Sequence, residues 1–329
     1  MRKDLFEKLH KGGLISEVSF GKIKLLLGQK LVSVHLEIKT LLYLGVLLLS
    51  GGLGILVYKH IDTIGHQAVL VFIALISAGS FYYCFKYKLP FSVNKVDAPD
   101  AFFDYILLLA CLTFITFIVY IQYQYKVFGN HYSPEAFLPM LVLFFSAYYF
   151  DHLGILSLGI TNLVAWLGIA VTPMQILQSN DFSSTSLIVT GLFLGVFLIV
   201  VAWVTNKKNI KKHFALTYSN FGTHLLFIAC LVALFNFYQW YLLWFLVLLA
   251  IVFYIYRKAI KEKSFYFMLI TVLYGYIGLS YVISRLLVST GSFDIGLIYL
   301  WCLYYIASAV LLVLFLIRIN KKFKVNDSL

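Results

Sequence analysis

Charged residues are scarce in this sequence. Only 12% of its 329 residues are Asp, Glu, Lys or Arg, whereas 62% are hydrophobic. Soluble globular domains carry about twice that charged fraction, so the composition excludes a soluble globular chain. It indicates one membrane domain built from many helices.

Acidic residues are the scarcer of the two signs. The sequence has 14 Asp and Glu against 26 Lys and Arg, which gives a formal net charge of +12. Such an excess can indicate nucleic-acid binding, but the basic residues cluster between apolar runs instead of along one exposed face. We therefore interpret the charge as a topology signal and expect no nucleic-acid partner.

Cysteine is rare as well. All four cysteines fall inside apolar runs, with the spacing of neither a metal site nor a disulfide framework (Cys84, Cys111, Cys230 and Cys302). They are interpreted as small residues of the membrane core. The sequence also lacks a Gly-x-Ser-x-Gly motif, a Walker loop, a His-Glu-x-x-His motif and paired transmembrane aspartates. An enzyme is therefore the less favoured class, and we expect no catalytic residue, metal or cofactor.

Long apolar runs are what the sequence has in abundance. Since a bilayer core of about 30 Å needs about 20 apolar residues of helix, we predict an all-α, polytopic transmembrane bundle of ten spans. They cover residues 39–58, 68–86, 103–124, 134–150, 153–171, 186–205, 216–237, 239–256, 265–286 and 294–318. The fourth is the shortest and contains Pro139, so it is the span most open to being tilted, broken or re-entrant.

The predicted spans leave a polar segment at each end of the chain. Residues 1–38 form a basic amphipathic cytoplasmic segment, 39–319 the transmembrane domain and 320–329 a cytoplasmic tail. In the first segment, Ser16 is a candidate N-cap with Glu17 in the first helical turn. A topological anchor on the membrane surface is the favoured role, and partner binding is the alternative. No cleavable signal peptide is expected, because the first apolar run begins only near Lys39.

Basic residues are sorted between the two sides of the predicted bundle. With the N-terminus in the cytoplasm, only Lys59, Lys126 and Arg285 of the 26 Lys and Arg fall in outer segments. This predicts an even number of spans with both termini cytoplasmic. The weak point is the inner turn Asp151-His152, which has no basic residue. We interpret that turn, like Asp104, as a simple boundary.

Small residues indicate where helices approach each other. Gly191 and Gly195 have the four-residue spacing that lets two helices pack closely. We interpret this pair as internal packing, with dimerisation as the alternative.

Polar residues inside spans are the best functional pointers in a membrane protein, because their burial is costly. His224 is the strongest, and Asn220 and Thr223 lie beside it on the seventh span. Asn162 falls near the middle of the fifth span. A His at this depth can shuttle a proton or contact a ligand. The favoured interpretation is structural: these side chains hydrogen-bond to neighbouring helices, or the seventh span starts late and leaves His224 at the interface.

A second candidate is a polar cup on the outer face. Its members come from the first and third outer loops and the adjoining helix ends: His60, Asp62, His66, Gln122, Tyr125, His131 and Glu135. Their spacing matches no metal motif. Solvated loop ends are the favoured interpretation, and a lipid-acting site is the alternative.

Three short stretches share the pattern of a known family: Leu9-His-Lys-Gly-Gly-Leu-Ile-Ser16-Glu17, His60-Ile61-Asp62-Thr-Ile-Gly65 and Gln122-Tyr-Gln-Tyr125-Lys-Val-Phe-Gly129. They resemble an uncharacterised bacterial membrane family, the domain of unknown function 2157. The likeness runs from the N-terminal segment through the fifth span. His60 and Ile61 stand where the family has Asn and Trp. The resemblance implies a multi-span protein of a bacterial inner membrane and supplies no activity.

Three functional classes follow. An accessory or assembly protein, the favoured class, predicts a tightly packed bundle without a continuous cavity. A transporter or flippase predicts a polar cavity lined by His224 and Asn162. A lipid-acting enzyme predicts His60, Asp62 and His131 within ligand reach of one another. The lipid bilayer is the expected partner in each case, with a membrane protein or a second copy of the chain as a further candidate.

Overall fold

A computed structural model describes residues 35–129, 133–171, 184–289 and 295–326, together with His10, Ser16, Glu17 and Ser19. Within these ranges every regular element is an α-helix, and each helix overlaps one predicted span. The helices are α1 (His35–Ile64), α2 (His66–Tyr87), α3 (Ala101–Tyr125), α4 (Ser133–Phe150), α5 (Leu153–Val171), α6 (Thr185–Lys208), α7 (Phe214–Asn236), α8 (Tyr241–Lys261), α9 (Phe265–Ser289) and α10 (Ile295–Asn326). The all-α prediction with ten helices is confirmed.

The chain divides into two compact units, residues 1–64 and 65–329. The first contains α1, a 30-residue helix in which the leucines between Leu41 and Leu49 are exposed. In the basic segment before α1, the Ser19 N–H donates to Ser16 Oγ at 3.3 Å. This is the N-cap predicted at Ser16. Apart from His10 and Glu17, the rest of that segment lies outside the described residues.

Eight helices of the second unit are long and apolar enough to cross a membrane, counting only described residues. The apolar stretches Thr40–Gly52 and Pro134–Phe150 are shorter. Helix α4 has 18 residues and continues through Pro139. At about 1.5 Å per residue it is about 27 Å long, close to the thickness of a bilayer core.

Consecutive helices of the second unit pair as hairpins: α2 with α3, α4 with α5, α6 with α7 and α8 with α9. Helix α7 also contacts α5, α8 and α9, so it is the central helix. Its first turns pack in one apolar cluster with α2–α6, and its later turns pack in a second with α8 and α9.

Glycines explain the close contact of α6 with α7. A Cβ on Gly195 would lie 2.7 Å from Leu226 Cγ, and one on Gly222 would lie 2.9 Å from the Gly195 carbonyl oxygen. A Cβ on Gly191 would lie 3.2 Å from Ala229 Cβ. Gly191 and Gly195 therefore serve internal packing, as the spacing indicates.

Helix α10 contacts only α9 among the helices that the structure describes. Three tyrosine–serine hydrogen bonds follow this contact: Tyr276 with Ser308 at 2.9 Å, Tyr304 with Ser280 at 3.1 Å and Tyr305 with Ser284 at 3.0 Å. Hydroxyl pairs can hold apolar helices together in lipid, where the hydrophobic effect between them is weak.

Candidate functional site

His224 lies at the centre of a polar network between α7 and α9. Its Nδ1 is 3.0 Å from the Tyr274 hydroxyl, and its Nε2 is 3.1 Å from the Tyr266 hydroxyl. Tyr266 in turn donates to Asn220 Oδ1 at 2.6 Å. Asn220 and His224 are four residues apart on α7, so both side chains lie on one face of that helix.

These contacts fix the direction of each hydrogen bond in the network. Because Tyr266 donates its proton to Asn220, it accepts from the N–H at His224 Nε2. His224 Nδ1 is then the acceptor for Tyr274. A neutral histidine has one donor and one acceptor nitrogen, so both ring nitrogens are satisfied. The network, called the His224 network (Asn220, His224, Tyr266 and Tyr274), joins α7 to α9.

The other two predicted intramembrane residues do not join this network. Asn162 Nδ2 donates to the Leu158 carbonyl one turn back on α5, at 3.2 Å. Thr223 is fully buried, and its Oγ1 has no hydrogen-bond partner among the described residues. Of the four predicted residues, the structure therefore brings Asn220 and His224 together and leaves Asn162 and Thr223 outside the network.

The predicted outer cup is described only in part. His66 Nδ1 is 2.8 Å from the Tyr120 hydroxyl, and this pair joins α2 to α3. The Gln122 side chain holds the loop that follows α3. Its Nε2 donates to the Gly129 carbonyl at 3.0 Å, and its Oε1 accepts from the Phe128 N–H at 2.9 Å. Tyr125 is exposed, and Glu135 lies in the first turn of α4.

The structure does not describe the side chains of the remaining cup residues. His131 lies outside the described residues, and of His60 and Asp62 only the backbone in α1 is described. The proximity of these three side chains therefore stays a prediction. Among the described residues, no group of three His, Cys, Asp or Glu side chains is arranged to hold a metal ion.

The structure reveals a buried ionic cluster that the sequence analysis missed. Asp151 Oδ2 lies 3.0 Å from Lys211 Nζ, Asp151 Oδ1 lies 2.5 Å from His213 Nε2, and the Val96 N–H donates to Oδ2 at 2.5 Å. The side chains of Asp151 and Lys211 are each 1% exposed. The interpretation of Asp151 as a simple boundary residue is therefore wrong, whereas its position in a turn is confirmed.

The cluster of Asp151, Lys211 and His213 is called the Asp151 cluster. Three connections meet at it, because Asp151 lies between α4 and α5, Lys211 and His213 lie between α6 and α7, and Val96 lies between α2 and α3. The α2–α3 connection also bonds to the α6–α7 connection through the Lys211 N–H and the Val93 carbonyl, at 2.8 Å. The α4–α5 turn thus lies at the same end of the second unit as two basic connections. This is the arrangement expected if both α4 and α5 cross from one end of the bundle to the other.

The neighbouring His152 caps α5. Its Nδ1 accepts from the Ile155 N–H at 3.1 Å, and its Nε2 lies 3.9 Å from Asp104 Oδ1. Asp104 and His152 therefore help to fix the ends of α3 and α5.

Two cavities lie at the edges of helix contacts. One, of about 320 Å³, is an apolar groove between α5, α6 and α7, with Thr190 as its polar exception. The other, of about 670 Å³, lies between the basic ends of α6, α7 and α8. It is bounded by Trp203, Lys212, Arg257 and Lys261, and is named here the basic cleft. Neither His224 nor Asn162 lines either cavity.

A comparison with known protein families finds a match to the first half of the chain. The family described as "Predicted membrane protein (DUF2157)" matches residues 7–156. The family resemblance found in the sequence is thereby confirmed. No curated protein and no solved structure matches the chain. Together with the apolar helices, the match identifies an integral membrane protein in contact with the lipid bilayer.

Proposed function

We propose that this chain is a non-enzymatic accessory or assembly partner of another protein in a bacterial inner membrane. The observation that supports this role best is the self-contained His224 network. Both ring nitrogens are already bonded to tyrosines of α9. A substrate or proton carrier would have to displace these bonds before it could use the histidine.

The positions of the cavities support the same proposal. A transporter of the kind considered above needs a polar cavity that reaches His224 and Asn162. Both cavities instead lie along helix edges and are lined by other residues. Asn162, Asn220 and His224 are thus accounted for as helix-to-helix or within-helix bonds, which is a structural use.

Helix α10 offers the surface for a partner. It contacts the described bundle through α9 alone, and Leu303, Ile306 and Leu311 on it are largely exposed. An apolar helix held on one side can receive a second membrane helix without rearranging the bundle, because its backbone hydrogen bonds are already made within the helix.

Cysteine accessibility separates the proposed role from transport. Asn162→Cys and His224→Cys are made in a Cys302→Ser background, and a charged, membrane-impermeant thiol reagent is applied from each side of the membrane. Cys84, Cys111 and Cys230 are buried and stay in place. We expect no labelling at either position, since thiol modification requires access and a thiolate.

Two control positions show how an accessible cysteine and a lipid-facing cysteine respond to the reagent. Lys95→Cys lies in an exposed connection and should react from one side, whereas Leu303→Cys faces lipid and should not react. Labelling of Asn162→Cys or His224→Cys at the rate of Lys95→Cys would establish a water-filled path and favour the transporter or flippase.

Photocrosslinking tests the accessory role itself. A benzophenone amino acid at Ile306 or Leu311 of α10, activated in native membranes, should give one discrete protein adduct. Its mass distinguishes a different protein from a second copy of this chain. If every exposed position of α10 gives lipid adducts alone, the proposed partner contact on this helix is refuted.

A further inference from the structure

The basic cleft combines three kinds of surface that follow one another along the helices. Ile199, Ala202 and Leu216 line its apolar part, and Trp203 and Tyr254 add aromatic rings. Its charged part is formed by side chains before α7 and at the end of α8. This order, from apolar through aromatic to charged, matches the depth profile of a membrane from acyl chains to headgroups.

The charge in the cleft has one dominant sign. Four basic side chains line it, namely Lys212, Arg257, Lys258 and Lys261, against the single carboxylate of Glu262. Glu262 lies 4.0 Å from Lys258. Among the described residues, Lys212, Arg257 and Lys261 have no carboxylate within ion-pair distance. The cleft therefore presents unneutralised positive charge.

The inner wall of the cleft holds a fixed pair of polar groups. Lys258 Nζ donates to Ser219 Oγ and lies 5.2 Å from the centre of the Phe267 ring. The Lys258 side chain is only 18% exposed, and Ser219 is 4% exposed. An ammonium has three N–H donors, so Lys258 retains donors for an anion while it is held by Ser219.

We propose that the basic cleft binds an anionic phospholipid, with the phosphate among Lys212, Arg257, Lys258 and Lys261 and one acyl chain along Ile199 and Leu216. Basic pockets between transmembrane helices are suited to anionic headgroups. The apolar wall selects a lipid over a free phosphate, because a soluble anion leaves that wall in water. The proposal is independent of the accessory role, since either one can hold without the other.

Native mass spectrometry of the full-length, delipidated protein in nonionic detergent tests this binding. We titrate dioleoylphosphatidylglycerol and, in parallel, the zwitterionic dioleoylphosphatidylcholine with the same tails. The anionic lipid should bind at least about tenfold more tightly, since each nearby basic residue contributes to the attraction. Equal affinity for the two lipids would refute the site.

Matched charge variants locate the binding. The cleft variant removes three exposed charges of the basic cleft through Lys212→Gln, Arg257→Gln and Lys261→Gln. The control variant removes three charges elsewhere at the basic ends of the helices, through Lys86→Gln, Lys208→Gln and Lys321→Gln. Only the cleft variant should lose the preference for the anionic lipid. An equal loss in both variants would mean that overall charge, and not this cleft, attracts the lipid.

Two further measurements separate a lipid from a free anion. Inorganic phosphate and glycerol phosphate should fail to compete with the anionic lipid at equal concentration, and full competition would overturn the assignment to a lipid. Phosphatidylglycerol with brominated tails should quench tryptophan fluorescence saturably, and Trp203→Phe should remove that saturable part. Quenching unchanged by Trp203→Phe would place the lipid elsewhere.

Discussion

Replacement of Asp151 by Asn tests the buried ionic cluster most directly. The Asp151 carboxylate accepts from Lys211, His213 and the Val96 N–H at 3.0, 2.5 and 2.5 Å. Asn keeps the shape but removes the charge, so the Lys211 ammonium is left 1% exposed without its counter-ion. The backbone at Asp151 has φ 61°, a left-handed conformation that Asn also tolerates. The substitution therefore changes the electrostatics and leaves the turn intact.

The expected loss follows from the burial of both partners. Removing one member of a buried ion pair costs about 3–5 kcal/mol, because the other charge stays uncompensated. The remaining partners of Lys211 are weak substitutes: the Asn94 carbonyl lies at 3.4 Å and the Phe91 ring centre at 5.1 Å. We therefore expect Asp151→Asn to lower the free energy of unfolding by about 3–5 kcal/mol.

A double-mutant cycle separates the pair from its surroundings. Lys211→Met alone should cost about 3 kcal/mol, near the lower end of that range, because Asp151 keeps its bonds to His213 and Val96. The double variant removes both charges, so its loss should be smaller than the sum of the single losses by about 2–3 kcal/mol.

The assay is unfolding in mixed micelles, with increasing SDS and tryptophan fluorescence as the readout. Lys95→Met is the matched control, because Lys95 forms an ion pair with Asp97 at 2.6 Å that is largely exposed. We expect no measurable loss there. If Asp151→Asn is no worse than Lys95→Met, or if the two cluster substitutions are additive, the cluster is not a coupled buried pair.

Three further substitutions, one of them with a matched control, test helix contacts in the same assay. His224→Ala should cost about 1–3 kcal/mol, because two interhelical hydrogen bonds are lost; an unchanged unfolding curve would refute the structural role of the network. Gly222→Ala should destabilise the protein by about 1–3 kcal/mol through overpacking against α6. The control Gly79→Ala, with nothing within 4 Å of the added Cβ, should be neutral or slightly stabilising. A larger loss for Gly79→Ala than for Gly222→Ala would contradict the close contact between α6 and α7. Tyr276→Phe, which removes the bond to Ser308, should cost about 0.6–2 kcal/mol, and no loss would mean that α10 is held by other contacts.

Membrane physics is what made the fold predictable from the sequence. In lipid every backbone group must be bonded within its own helix, so an apolar run of sufficient length has few alternatives. The ten predicted runs accordingly appear as ten helices in the described chain. The pairing of Asn220 with His224 on one face was also predictable, because it follows from their spacing of four residues.

Partners that come from distant segments were not predictable in the same way. Tyr266 and Tyr274 reach His224 from 42 and 50 residues away, and no local pattern marks them. Asp151 looks like an ordinary turn residue, because its burial depends on two connections that fold over it. Val96 and His213 are 55 and 62 residues away from it. An acidic residue in a turn without a basic residue of its own, at an end where basic residues collect, is the sequence signal that could have indicated such a pair.

The difference between local pattern and distant contact also applies to two adjacent lysines, Lys211 and Lys212. A count of positive charges gives Lys211 and Lys212 equal weight as topology signals, yet Lys211 is buried against Asp151 while Lys212 is exposed in the basic cleft. Lys211 has φ 48°, so the chain turns there and sends the two side chains to different surroundings. Since Lys211 is neutralised by Asp151, it adds little attraction for an anionic membrane surface. Removal of Lys211 should therefore weaken the fold, and removal of Lys212 should weaken lipid binding alone.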